Sequence, residues 1–268
     1  NINSTKKVSS LFKKNTFYLV IHLAAQAGVR YSLKNPRVYV DSNIKGFFNI
    51  IDNIKEKNIK NFIYASSSSI YGDSKSKYFK ENDIASTPIQ LYAATKRSNE
   101  LMAYAYSSLY NIKTIGLRFF TVYGPWGRPD MSLFLFTKKI INNQHITIFN
   151  KGNHYRDFTY IDDIVKGIYL CAKKCTKKSS TKKIAEIFNI AGGKTVKLSK
   201  FISTLENKLG KKGKKKYTTI QKGDIVRTCG SIKKLKKFTG YSPKVSVKKG
   251  ISNFVDWYKS YYKKWINY

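Results

Sequence analysis

Residues 61–72 read "NFIYASSSSIYG", and residues 91–96 read "LYAATK". The first stretch opens on an uncharged run of aromatic and β-branched side chains, the composition of a strand buried on both faces of a parallel sheet. It closes on four serines, Ser66–Ser69, followed by a Tyr-Gly turn. The second lies in a strong helical pattern over 89–110, where Tyr92 and Lys96 stand four apart and project from one face. A strand, a hydroxyl-rich strand end and a helix bearing a phenol and an ammonium suit a sheet whose chemistry sits at the carboxyl ends of its strands.

The flanking segments repeat the alternation. "FYLVIHLAA" (17–25) reads as a buried strand, and residues 36–58 read as a helix entered at Pro36. The helix over 89–110 leads to a third strand, "TIGLRFFTVYG" (114–124). This order predicts an α/β fold, a Rossmann-like parallel sheet with helices on both faces. Beyond "GPWGRPD" the order loosens. A helix near 131–142, a short strand "ITIF", a loop entering a helix at Thr159–Asp163 and a strand over 186–193 follow. A helix over 198–210 capped by Gly210, and helices near 231–238 and 247–265, suggest a smaller α/β lobe. "KKGKKK" (211–216) reads as a loop, and no internal repeat is visible.

One expected feature is missing. A dinucleotide-binding sheet runs its first strand into a glycine-rich turn such as GxxGxxG, which brings the pyrophosphate to a helix N-terminus. No such turn precedes "VIHLAA", and the opening "KKVSSLFKKN" resembles the tail of a helix. The expectation is that an N-terminal segment is absent from this chain. The alternative is a protein that does not bind a dinucleotide.

At 268 residues the chain is long enough for one or two domains with a sizeable core. No apolar run approaches the roughly 20 residues of a membrane-spanning helix, and the first residues lack the apolar centre of a signal peptide. Cys171, Cys175 and Cys229 are few and odd in number, and the first two are spaced for one helix face rather than for a metal or redox pair. Free thiols in the cytoplasm and no metal site are expected. The 51 Lys and Arg against 15 Asp and Glu give a net charge of +36, which raises nucleic-acid or anionic-membrane binding. The lysines are dispersed over nearly every surface segment and no nucleic-acid motif accompanies them, so no specific nucleic-acid or membrane partner is expected. The surplus would still attract a doubly negative nucleotide diphosphate.

A neighbouring ammonium favours the phenolate form of a tyrosine, which makes Tyr92 a candidate general base beside Lys96. The same spacing recurs at Tyr71/Lys75 and Tyr169/Lys173, so spacing alone is weak. Context separates them: Tyr71 enters a turn at Gly72, Tyr169 follows no hydroxyl-rich strand, and only Tyr92 follows the serine run.

Together "VIHLAAQAGVRYS", "YASSSSIYG", "LYAATKRSNELMA", "LRFFTVYGPWGRPDM", "RDFTYIDDIV" and "GDIVRT" resemble the extended short-chain dehydrogenase/reductase family, most closely its UDP-glucuronate 4-epimerases. The resemblance implies NAD as cofactor and a UDP-sugar as substrate. It casts Tyr92 as base, Lys96 as its partner and a ligand of the nicotinamide ribose, and Ser67 as the hydroxyl on the reacting group. Leu23, Ala24, Ala25, Gln26, Asn43 and Ser66 would line the NAD site, and Ser68 and Ser69 would lie near the sugar. Thr121 and Arg128 would stand at the mouth of the sheet, where the guanidinium could hold a sugar carboxylate or a phosphate in a two-pronged grip, with Arg156 on the diphosphate and Asp224 on the uridine ribose. Plain alternatives stand beside these roles: strand-end capping for most of the serines, helix–strand packing for the alanines, a solvated surface for the arginines.

The implied division gives residues 1–122 with 158–192 to the NAD-binding domain and 123–157 with 193–268 to the UDP-sugar lobe. The implied reaction inverts C4 of UDP-glucuronate through a transient 4-keto sugar. "SSSSIYG" lacks the Asp–Glu pair that related dehydratases use to eliminate water, which favours epimerisation. UDP-glucose, another sugar nucleotide or an inactive fragment remain as alternatives. The helices over 36–58 and 89–110 carry apolar faces suited to a homodimer, unless their own sheet covers them.

Overall fold

The computed structural model describes residues 1–262 except 75, 84, 86, 178–184 and 222. In chain order the elements begin with α1 (Thr5–Lys14), β1 (Val20–His22), α2 (Val29–Lys34) and α3 (Arg37–Tyr39). A π turn over Val40–Lys45 joins α3 to α4 (Gly46–Glu56), and β2 (Asn61–Ser67), α5 (Leu91–Tyr110) and β3 (Lys113–Phe119) follow. Next come β4 (Thr121–Tyr123), α6 (Ser132–Ile141), β5 (His145–Phe149), β6 (Tyr155–Arg156), β7 (Phe158–Tyr160) and α7 (Ile161–Cys175). The last are β8 (Ala185–Ile190), β9 (Val196–Lys197), α8 (Leu198–Leu209), β10 (Lys214–Thr218), α9 (Lys233–Thr239) and α10 (Val247–Tyr261).

Contacts divide the chain into two units. One holds residues 1–119, 167–190 and 231–241, and the other holds 120–166, 191–230 and 242–268. The first unit contains a parallel sheet in the order β1-β2-β3-β8. Its two central strands are buried almost throughout, as a sheet covered on both faces requires. Gly116 of β3 makes room for a neighbour: a Cβ there would lie 2.5 Å from the Tyr64 hydroxyl. Phe47, Ile51 and Ile54 of α4 and Phe62 and Tyr64 of β2 form the core of this unit with Val8 and Phe12 of α1.

The second unit has its own core, in which Tyr123, Phe134, Phe158, Phe201 and Phe254 meet. The rings of Phe158 and Phe201 stack at 4.0 Å. Its short sheets are β4 with β7, β5 with β10, and β6 with β9. The fully buried carboxylate of Asp157 ties the unit together, accepting from the amides of Gly192 (2.6 Å), Gly193 (3.1 Å) and Gly230 (3.0 Å). Burial pushes its pKa up to about 6, outweighing the pull of those amides.

Several sequence expectations need correction. The strand expected over 17–25 is hydrogen-bonded only at Val20–His22, and the one over 114–124 breaks at Phe120 into β3 and β4, which belong to different units. The helix over 36–58 carries a π turn. "KKGKKK" is half strand: β10 pairs in parallel with β5, with Gly213 packed against Ile140 and Ile146. "KKVSSLFKKN" lies in a helix with its own N-cap, Ser4, whose hydroxyl accepts from the Lys7 amide. Residues 231–241, expected in the second lobe, pack with the first unit, where Phe238 stacks on Phe188 at 4.6 Å and Lys234 pairs with Glu186 at 2.6 Å. Residues 158–166, expected in the first, fall in the second.

Candidate active site

The serine run is where the first unit changes from strand to turn. Chain pairing ends at Ser67, and residues Ser68–Tyr71 wind into a single 3₁₀ turn. Ser67 is its cap: the hydroxyl accepts from the Ser69 amide at 3.2 Å and lies 3.2 Å from the Ser69 hydroxyl. Capping is thus a role that Ser67 itself performs. Gly72 closes the turn at φ 58, where a Cβ would lie 2.3 Å from the Thr87 carbonyl, so glycine is needed for both reasons. The Ser66 hydroxyl points elsewhere and donates to Glu100 at 2.7 Å.

Helix α5 lies against this strand end with an inverted pattern. Its buried residues include Thr95, Lys96, Asn99, Glu100 and Ser107, whereas Leu101, Tyr104, Leu109 and Tyr110 are exposed. A helix stabilised only by packing would do the reverse. Lys96 is 3% exposed and donates to the Ala65 carbonyl at 2.9 Å. Burial brings its pKa down to about 8. Tyr92, one turn earlier and half-buried, sets its ring edge-on to Tyr39 at 6.0 Å. His22 at the end of β1 is held down to about 4, by burial first and by the Lys96 charge second, so it stays neutral beside the ammonium.

The segment after β1 is fixed by two residues on the neighbouring helix. Asn43, in the π turn, accepts from the Gln26 amide (2.8 Å) and donates to the Gln26 carbonyl (3.0 Å) and to the Thr95 hydroxyl (3.0 Å). The Tyr39 hydroxyl donates to the carbonyls of Ala27 and Gly28. Leu23 and Ala24 are exposed, and Ala25 and Gln26 are half-buried. The rival pairs separate cleanly. The Tyr71 hydroxyl is bound between Asn189 (2.7 Å) and Arg118 (2.8 Å) and pushed up to about 12 by burial, which removes it as a base; Lys75 lies outside the described residues. Tyr169 sits 57% exposed on α7.

The remaining candidates belong to the second unit. Thr121 and Arg128 line one small cavity with Gly124, Met131 and Phe158, and the Arg128 guanidinium pairs with the Asp130 carboxylate. Arg156 donates to the Val226 carbonyl at 3.0 Å, which joins β6 to the segment 224–230 that carries Asp224. Ser68 and Ser69 are half-buried in the first unit.

The match to known proteins is extensive. Residues 1–191 fit the model of the NAD dependent epimerase/dehydratase family. The chain belongs to that family. It is 48% identical to Protein CapI of Staphylococcus aureus over 96% of this chain and 80% of that one. It is 44% identical to the probable UDP-glucuronate 4-epimerase of Rhizobium meliloti, over 92% of this chain and 76% of that one. Among solved structures, the UDP-glucuronic acid 4-epimerase of Bacillus cereus in complex with UDP-glucuronic acid and NAD superposes with a TM-score of 0.88 at 34% identity. That match covers 98% of this chain and 81% of the other.

The residues of this epimerase/dehydratase chain fit the nicotinamide half of NAD. The Lys96 ammonium has three donors, and the bond to Ala65 accounts for one; a ribose diol is the kind of partner the others can take in so buried a place. Sequence reasoning missed Tyr39, Thr95, Asn99, Glu100, Arg118 and Asp157. The signal available for Glu100 was its place one turn beyond Lys96, as a charged residue on the same face.

A buried ammonium opposes folding. Native Lys96 releases its proton near pH 8 and an unfolded lysine near 10.5, so stability rises with pH through that window. Lys96→Met is expected to raise stability at neutral pH by about 1–3 kcal/mol and to flatten that rise, while abolishing turnover. Urea unfolding of both proteins on either side of the window checks this, and a less stable Met variant would contradict it.

Proposed function

We propose that the protein interconverts UDP-glucuronate and UDP-galacturonate by inverting C4 of the sugar. The observation that carries the reading is the buried Lys96 ammonium one turn from Tyr92, at the end of the strand that presents Ser67. Support also comes from the high identity to relatives described as UDP-glucuronate 4-epimerases.

In this reading the residues around Lys96 would hold NAD, which would supply a reversible hydride acceptor for C4 of the sugar. The Tyr92 phenolate oxygen accepts the C4 hydroxyl proton, becomes the phenol, and gives the proton back when C4 is reduced again. Lys96 favours the ionised phenol and holds the ribose, and Ser67 donates to the developing C4 oxygen. Leu23, Ala24, Ala25, Gln26 and the backbone at Ser66 line the cofactor, with Asn43 fixing the shape of that segment. Ser68 and Ser69 face the sugar. Arg128 meets the uronate carboxylate by giving up Asp130 for it, with Thr121 beside it. Arg156 binds the diphosphate and Asp224 the uridine ribose. The first unit is the NAD-binding domain and the second the UDP-sugar lobe. Among the described residues no helix is long and apolar enough to cross a membrane, and the three buried free thiols suit the cytoplasm.

The exposed Leu101, Tyr104, Leu109 and Tyr110 of α5, with Phe48 of α4, are proposed to meet a second copy of the chain. Sizing at micromolar concentration should give a dimer, and a monomer would contradict that interface. For the chemistry, purified protein with added NAD should convert UDP-glucuronate to UDP-galacturonate, resolved by chromatography. Tyr92→Phe should lower turnover by at least about a hundredfold while UDP-sugar binding persists. Unchanged turnover in that variant would refute the role of Tyr92.

A further inference from the structure

The mechanism leaves unused a buried ionic cluster beneath the proposed site. Glu100 and Arg118 are 3% and 2% exposed. They face each other in a two-pronged pair: Arg118 Nε donates to Oε1 at 2.9 Å and Nη2 to Oε2 at 3.0 Å. Glu100 also accepts from the Ser66 hydroxyl at 2.7 Å and from Arg97 at 2.8 Å. Arg118 donates in turn to the Tyr71 hydroxyl at 2.8 Å, and Tyr71 donates to Asn189 of β8 at 2.7 Å. Burial works against the Arg118 charge, and the bonds and charge of Glu100 outweigh it, so the cation persists.

A pair so deep is a poor source of stability, because desolvating two charges offsets most of their attraction. Its placement explains more. Lys96 bonds the carbonyl of Ala65, and Glu100, one turn on, bonds the side chain of Ser66. Two successive residues at the end of β2 are therefore each tied to successive turns of the helix that carries Tyr92. Arg118 ties the same carboxylate to β3 and to the 3₁₀ turn after Ser67. A slip of α5 along β2 would have to break a buried, fully paired carboxylate.

We infer that the Glu100–Arg118 pair, through Ser66 and Tyr71, is a positioning device that sets the separation between the Tyr92 phenol and the Ser67 hydroxyl. The inference rests on the proposed epimerase reading and adds residues that serve its geometry. In that reading neither Glu100 nor Arg118 touches substrate or cofactor.

Three variants test it: Glu100→Gln, the charge-free double variant E100Q/R118M, and Ser66→Ala, which cuts only the link to β2. Each should bind UDP-glucuronate with KM within about twofold of wild type, while kcat falls by about 10- to 100-fold. Amide exchange over 65–71 should quicken, while the thermal midpoint of the double variant stays within about 5 °C of wild type. A folded double variant with wild-type kcat and wild-type exchange over 65–71 overturns the inference. If the double variant does not fold, Ser66→Ala decides by the same two readouts, with wild-type values overturning it. Exchange needs no turnover. If the wild-type chain leaves UDP-glucuronate unchanged, the epimerase reading fails, while quickened exchange at 65–71 still supports the positioning role.

Discussion

An ammonium held almost entirely out of water, with one carbonyl in bonding distance, sets the terms for the first unit of this protein. Lys96 can be buried because the carbonyl of Ala65, near the end of β2, faces α5 and accepts from it. The neutral His22 adds no second charge. The helix meets this demand by turning its polar residues inward and leaving Leu101 and Tyr104 in solvent. Such an arrangement is unfavourable for stability and persists where chemistry requires it.

Around that ammonium, polar groups are satisfied by short-range exchange between neighbouring segments. Asn43 reads both backbone groups of Gln26, and Tyr39 holds the carbonyls just beyond it. The π turn supplies the extra residue that lets the Asn43 side chain reach across to that segment and to Thr95, an arrangement often found where helices serve a site. The second unit solves its own version of the problem with Asp157, whose carboxylate gathers three glycine amides from two segments and leaves Arg156 beside Val226. In both units rigidity comes from buried polar groups with several partners each, which specify one geometry more narrowly than apolar packing does.

The parallel sheet, the helix bearing Tyr92 and Lys96 and the strand ending in serines were all legible, because period and turn chemistry are local signals. The π turn in residues 40–45 was not legible, since a single inserted residue leaves the helical period nearly intact. The pairing of "KKGKKK" with β5 escaped for a different reason: lysine-rich edge strands look like loops when their only partner is distant in sequence. Glu100 and Arg118 were visible as charges but not as a buried pair, because sequence gives no sign of which charged residues face each other across a sheet. The serines illustrate the same limit: Ser66 bonds a carboxylate, Ser67 caps a turn, and composition alone treats them alike.

In the proposed reaction a hydrogen leaves C4 of a uronate and comes back to the same carbon without meeting water. The most direct measurement uses UDP-glucuronate carrying deuterium at C4, incubated with the protein and NAD in ordinary water, with the product examined by mass spectrometry and proton NMR. The expected product is UDP-galacturonate that keeps its deuterium at C4. Product that has exchanged the label for solvent hydrogen would contradict it.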